Sequence, residues 1–310
     1  MKLSQFIATI KPWMLPIAML LGVLLHSWIG YVAFLSKYLI FIMLLITFCR
    51  VRLSDLHLGS YIWCLLGVQI CGAVIAYLLL SPIDPILAAG TFICIFCPTA
   101  TAAPVITGML GGSIGKVATY SLISNVAVAL ISPLLLSWIG TQTGVEVSMS
   151  FADSIMKIGV EVMPVILGPL AVALMMQRFS PRAAEGIAHH QGLSFYIWAL
   201  ALIIVVGNSV SFILKEPASL IPEIVMLAIV SMIACGLQFY IGRKIGARFG
   251  DRISAAQSLG QKNTVLAIWL ALTYLNPIVS IAPAAYVAWH NTVNSLQLYR
   301  HTRHIQQTKH

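Results

Sequence analysis

From Lys11 to Arg300 the chain is a succession of apolar stretches of about 20 residues, the length of helix that crosses the hydrocarbon core of a bilayer. Backbone groups in lipid have no water to bond, so such stretches must fold as helices that satisfy their own hydrogen bonds. The expected spans are 11–30, 32–50, 59–80, 85–111, 114–140, 153–177, 190–214, 220–242, 253–275 and 277–300. No loop between them is long enough to fold separately. Only 9% of the 310 residues are charged, against about 25% in a soluble domain. The expected fold class is an all-α polytopic membrane protein. The first stretch is too long for a signal-peptide core and lacks a small-residue cleavage site, so it reads as a membrane helix.

The basic residues orient these spans. With the N-terminus inside, fourteen of the eighteen lysines and arginines fall on the inner side. Lys37, Lys157 and Lys215 fall outside, and Lys262 is left within a span. That bias predicts cytoplasmic N- and C-termini; the expected location of this multi-pass protein is a bacterial inner membrane. The net charge of +9 then marks a membrane face rather than a nucleic-acid partner. Six cysteines show no metal-ligand pattern and read as small buried residues. No cofactor or metal site is expected.

Two spans are interrupted. In CPTATAAPVITGMLGG (97–112), Pro98 and Pro104 bracket threonines and alanines, and Pro104 suits the start of a new half-helix. In SLGQKNTVLA (258–267), a glycine and a polar cluster break the apolar pattern. Broken backbone at membrane depth must be buried in protein or line a wet cavity. The breaks occupy the fourth and ninth spans, equivalent places in two five-span halves, 1–143 and 144–310. An odd number of spans per half implies opposite topology, the pattern of an inverted-repeat secondary transporter.

At these residues the sequence resembles the bile acid:sodium symporter family. The likeness runs along nearly the whole chain. It is carried by CPTATAAP, by GKVATYSLISNVAVALISPLL (115–135), by LGQKNTVLA, by APAAYVAWHNTVNSL (282–296) and by KIGVEVMPVILG (157–168). The resemblance implies ten helices in two inverted repeats, with broken helices four and nine crossing. Spans 3–5 and 8–10 would form a core domain, and spans 1, 2, 6 and 7 a panel domain. Organic anions would bind beside the crossing, between core and panel, and reach each side by alternating access.

By the same resemblance, Thr101 and Asn263 stand at crossing positions near the substrate, and His290 and Asn291 face the cavity. Gln69, Ser121, Asn125 and Gln261 stand at or beside positions of the family's sodium sites. The departures are informative. Ala103 and Pro104 replace a serine-asparagine pair, Ser258 replaces a supporting glutamate, and Lys262 replaces a glutamine ligand. Sodium is a hard cation that wants oxygen ligands and compensating charge. A lysine in place of a ligand, with the carboxylate gone, argues against Na+ as a partner.

Lys262 could be an internal substitute for the coupling cation, fixed or titrating, or could snorkel to the interface. Glu161 is the other possible proton carrier, or pairs with Lys157 four residues away on one helix face. His290 could contact substrate or bond across the core, while Asn208 and Gln238 read as interhelical hydrogen-bonders. The reading expected from all of this is a monomeric secondary transporter of a small organic anion, independent of sodium, with H+ as a candidate partner. A sodium-coupled symporter with a rearranged ion site is the alternative. An intramembrane enzyme is disfavoured: the chain has no HExxH motif and no aspartate placed clearly within a span.

Overall fold

The structure, a computed structural model, describes residues 13–49, 59–100, 102–142, 151–215 and 217–307. Among these residues it is helical, with no strand beyond one isolated bridge. The helices are α1 (Met14–Leu24), α2 (His26–Ile29), α3 (Leu35–Phe48), α4 (Ser60–Leu80), α5 (Pro85–Phe96), α6 (Ala103–Met109) and α7 (Ile114–Gln142). They continue with α8 (Phe151–Phe179), α9 (Pro181–His189), α10 (Gln191–Ile213), α11 (Ile221–Arg248), α12 (Arg252–Gly260), α13 (Thr264–Tyr274) and α14 (Ile281–Gln307).

Four stretches are long and apolar enough to cross a membrane unbroken: the whole of α4 and α7, most of α10, and α11 with the short turn before it. A bent pair at the N-terminus makes a fifth. That pair departs from the expected continuous span over 11–30. The segments Met14–Leu24 and His26–Val32 meet at 81°, with Leu25 as the pivot. Nothing in the apolar pattern marks that bend. The segment left between the expected spans 153–177 and 190–214 is largely helical, because Pro181 supplies a ready-made first turn for α9.

Large apolar side chains cover the exterior: Trp28, Leu79, Ile83 and Phe179 are all exposed. A surface this apolar fits lipid rather than water. Four cysteines are buried as expected, but Cys64 and Cys71 lie exposed on α4. Lipid places no penalty on such a thiol, so burial within protein is not required of it.

The ends of the helices are set locally. Asp84 caps α5, its Oδ1 accepting from the amides of Ile86 (2.8 Å) and Leu87 (3.0 Å), with Pro85 opening the helix. Asp251 caps α12 through the Ser254 amide at 3.0 Å and pairs with Lys116 at 3.3 Å. Gly111, at φ 81°, turns the chain from α6 toward α7 in a conformation that side chains rarely adopt. Helices α11 and α12 approach so closely that a Cβ on Gly242 would lie 2.6 Å from the Ala255 carbonyl oxygen.

Two apolar clusters frame the middle of the molecule. One wraps the ends of α5 and α13, with Phe92, Phe96, Leu270, Tyr274 and Tyr286. The other joins α1, α3 and α10 to the inner side of α6, through Leu15, Leu44, Phe48, Phe195, Leu202, Val105 and Ile106.

Candidate substrate site at the crossing of two broken helices

Where α5 stops at Phe96, four backbone carbonyls lose their helical partners. Three side chains from three directions meet them. Gln238 of α11 donates to Cys94 O at 3.3 Å, and Lys262 Nζ donates to Ile95 O at 2.8 Å. Gln69 of α4 donates to Phe96 O at 2.6 Å and Cys97 O at 3.0 Å. A cation at a helix C-terminus also meets the negative end of the helix dipole.

The end of α12 is met in turn by the first break. Thr99 Oγ1 donates to Ser258 O at 2.6 Å, and the Tyr286 hydroxyl donates to Gly260 O at 2.8 Å. The breaks also pair directly: Ala100 N–H donates to Gln261 O (3.1 Å) and Asn263 N–H donates to Pro98 O (2.8 Å). These bonds make Thr99 and Lys262 bridge partners in an antiparallel step. The interrupted backbones thus satisfy each other, as burial at membrane depth demands.

A cavity of about 770 Å³ lies against this crossing. Its polar wall is Gln261, Asn263, Thr264, His290 and Asn291; its apolar wall includes Trp198, Leu202 and Val205 of α10 and Trp269 of α13. Ser36 and Ile40 of α3 and Val160 of α8 complete it. Asn263 caps α13, accepting from the Leu266 amide at 3.1 Å, so the N-terminus of α13 opens on the cavity. That size, with few polar groups on an apolar frame, suits a small organic ligand.

The residues singled out in the sequence distribute as follows. Asn263, His290, Asn291, Gln261 and Lys262 all line the cavity. The ammonium of Lys262, however, turns away from it to Ile95 O, and the residue is 1% exposed. Ala103 and Pro104 form the buried first turn of α6. Gln69 is fully engaged, since its Oε1 also accepts from the Tyr120 hydroxyl at 2.5 Å. Ser121, Asn125 and Ser258 are buried beside the crossing, and Ser121 Oγ, Asn125 Oδ1 and Ser258 Oγ have no protein partner. The Gln261 amide donates to Gln257, a residue not singled out, which donates to Gln297 of α14 at 2.8 Å. Asn208 is exposed on α10. Thr101 and the side chain of Glu161 lie outside the described residues.

Tyr120, Tyr286 and Thr99 were not anticipated, and Gln238 only as a generic hydrogen-bonder. A signal for them exists as an internal repeat. Gly67-Val-Gln69 precedes the first break and Gly236-Leu-Gln238 the second. Tyr120 stands five residues before Asn125, and Tyr286 five before Asn291. In space each glutamine bonds its own tyrosine, Gln69 with Tyr120 (2.5 Å) and Gln238 with Tyr286 (3.0 Å).

A family profile described as the SBF-like CPA transporter family matches residues 44–292, a segment containing both breaks and the polar wall of the cavity. The chain belongs to that family, a bile acid:sodium symporter-like group. It is also similar to an uncharacterized sodium-dependent transporter, YocS, of Bacillus subtilis (strain 168), at 22% identity over 217 residues. That match covers 68% of this chain and 63% of YocS, so the chain spans under two thirds of its relative's length. Family membership and the apolar helices make this a multi-pass membrane protein of a transporter family.

Proposed function

We propose that the protein is a secondary transporter of a small organic anion, working by alternating access without sodium, with Lys262 in place of the coupling cation. One observation carries this reading: the Lys262 ammonium is tied to the C-terminal end of α5, beside carbonyls held by Gln69, at the edge of a cavity that fits a small ligand. A fixed positive charge there neutralises the helix end and needs no ion from solution. The open N-terminus of α13, with Asn263, His290 and Asn291 around it, offers donors to a carboxylate.

The proposed architecture is ten membrane helices in two inverted repeats, 1–143 and 144–310, with α5–α6 and α12–α13 as the broken fourth and ninth. The paired Gln69–Tyr120 and Gln238–Tyr286 contacts support it, because they join the third to the fifth span and the eighth to the tenth. The cavity lies between spans 2, 6 and 7 on one side and 4, 9 and 10 on the other, which suits a core and a panel domain. In the proposed orientation, with both termini cytoplasmic, the cavity sits toward the outside. The cluster of Phe48, Phe195, Val105 and Ile106 then closes it from within. We take the transporting unit to be a monomer.

A second reading keeps sodium coupling. It is favoured by the three unpaired buried oxygens on Ser121, Asn125 and Ser258, since hard oxygens are what sodium binds. The name of YocS as a sodium-dependent transporter points the same way. Uptake into proteoliposomes, screened over small carboxylates and bile acids, separates the two. Transport that proceeds equally in sodium, potassium and choline is expected. A strict sodium requirement would overturn the first reading in favour of the second.

A further inference from the structure

Helix α14 carries a row of polar groups that neither the crossing nor the fold accounts for. His290 is 6% exposed and lines the cavity, yet its Nδ1 has no partner in the protein. Asn291 donates to Val287 O but leaves its Oδ1 unpaired. Asn294 is fully buried with both amide atoms unpaired. Gln297 follows, half-buried and bonded to Gln257. Positions 290, 291, 294 and 297 fall on one face of a helix. They run from the cavity toward the exposed Arg300 end over about 10 Å.

Buried polar atoms in native proteins are paired, and where protein does not pair them ordered water does. A buried asparagine with neither amide atom satisfied costs several kcal/mol in apolar surroundings, so it is stable only against solvent. Asn294 therefore implies water between Asn291 and Gln297, a short file on the face that leads from the Arg300 end to the imidazole.

The surroundings of His290 decide what such a file is for. Tyr286, one turn away on α14, meets its ring edge-on at 5.5 Å. Behind Tyr286 lie the thiols of Cys94 on α5 and Cys235 on α11. Across the cavity is Lys262, with its ammonium turned to Ile95 O. Helix α10 contributes only Tyr196, which is exposed, and α13 only Tyr274, at its far end. Helices α1 and α6 contribute no titratable side chain, α3 contributes the exposed Tyr38, and the side chains of Lys37, Asp153, Lys157 and Glu161 on α3 and α8 lie outside the described residues. No carboxylate lines the cavity among the described residues. Among the described residues an imidazolium here has no counter-ion until an anion enters, and an anion bound beside it would favour the charged ring.

We propose that His290 takes up one proton with each bound anion, supplied along the Asn291–Asn294 water file from the Arg300 end of α14. The proton leaves a hydronium at that end and passes through waters that the amides orient. It arrives on a free nitrogen of the imidazole, and the anion accepts a hydrogen bond from the resulting N–H. The anion and proton then move together as a neutral pair. This rests on the anion-transport reading above and adds to it a charge-compensating proton, drawn from and returned to the Arg300 side, and its carrier.

The test uses the whole protein in lipid nanodiscs with two sulfonates as probes, isethionate for a small anion and taurocholate for a large one. Both stay charged throughout, so any proton taken up belongs to the protein. The His290 imidazole is followed by ¹⁵N NMR from about pH 5 to about pH 8, where histidine ordinarily titrates, and assigned by its loss in His290→Gln. We expect a neutral ring without probe, a protonated ring with it, and uptake of one proton in calorimetry run in buffers of different ionisation heat. His290→Gln should bind about tenfold more weakly, the loss of a charge-assisted hydrogen bond, and take up no proton. Asn294→Leu should slow exchange of the ring proton with D₂O, and Asn294→Ser, which keeps a hydroxyl, should restore it.

Binding without proton uptake overturns this proposal alone and leaves anion transport standing. Unchanged exchange in Asn294→Leu overturns the file. If neither sulfonate binds, the anion reading falls and the coupling with it.

Discussion

The two breaks do the same topological work with different chemistry. The first, Cys97 to Ala102, is made by proline and contributes a hydroxyl and backbone amides to its partner. The second, Gln261 to Asn263, contributes a buried lysine amine, a helix cap and two cavity-lining amides. The end of α5 is therefore held by an ammonium and two glutamines, while the end of α12 is held by neutral hydroxyls and a peptide N–H. The crossing is symmetric in its backbone and asymmetric in its electrostatics. The polar groups on the cavity wall come mainly from the second break, while the first lines it with Ala100 and Ala102.

That asymmetry can be broken experimentally. The largest effect is expected from Lys262→Met, which removes the charge from Ile95 O. A loss of about 2–3 kcal/mol is expected in thermal or denaturant unfolding, together with loss of anion uptake. Adding Ser258→Glu to Lys262→Gln should bring back some response to sodium in an uptake assay. A double variant that stays indifferent to sodium would show that the lysine does not stand in for an ion.

Gln69→Leu should come next, at about 2 kcal/mol, because it strands two buried carbonyls and the Tyr120 hydroxyl. Gln238→Leu strands one carbonyl and should cost less. Equal losses for the two glutamines would mean that the two halves are held alike. Replacement of Thr99 by valine should cost about 1 kcal/mol, the net value of one neutral hydrogen bond. Tyr286→Phe should be close to it, and both should leave anion affinity nearly unchanged in a binding assay.

Much of this arrangement was legible in the sequence because the bilayer restricts the choices. Each apolar stretch became a helix or a helix pair, and both interruptions fell where Pro98 and Gly260 marked them. The bend at Leu25 was not legible: the pivot is neither proline nor glycine, and the close approach of α1 to α10, where a Cβ on Gly22 would lie 2.7 Å from Ile203 O, exists only in the packed molecule. At the site, Asn263, His290 and Asn291 could be placed on the cavity wall by their polarity and resemblance. The direction taken by the Lys262 side chain could not, because it depends on a carbonyl 167 residues away in the chain. Gln69 was identified as a position but not as a helix-end cap, since its partners come into reach only once α4 and α5 pack.

Three hydrogen bonds, through Pro98, Thr99 and Ala100, tie the two breaks together. Under the proposed alternating access, exchange would part the apolar seam of Phe48, Phe195, Val105 and Ile106 rather than the crossing. Wetting such a seam raises the heat capacity of the state that is reached. The turnover of this protein should therefore plot against inverse temperature as a curve rather than a line, with the curvature set by how much of that seam opens.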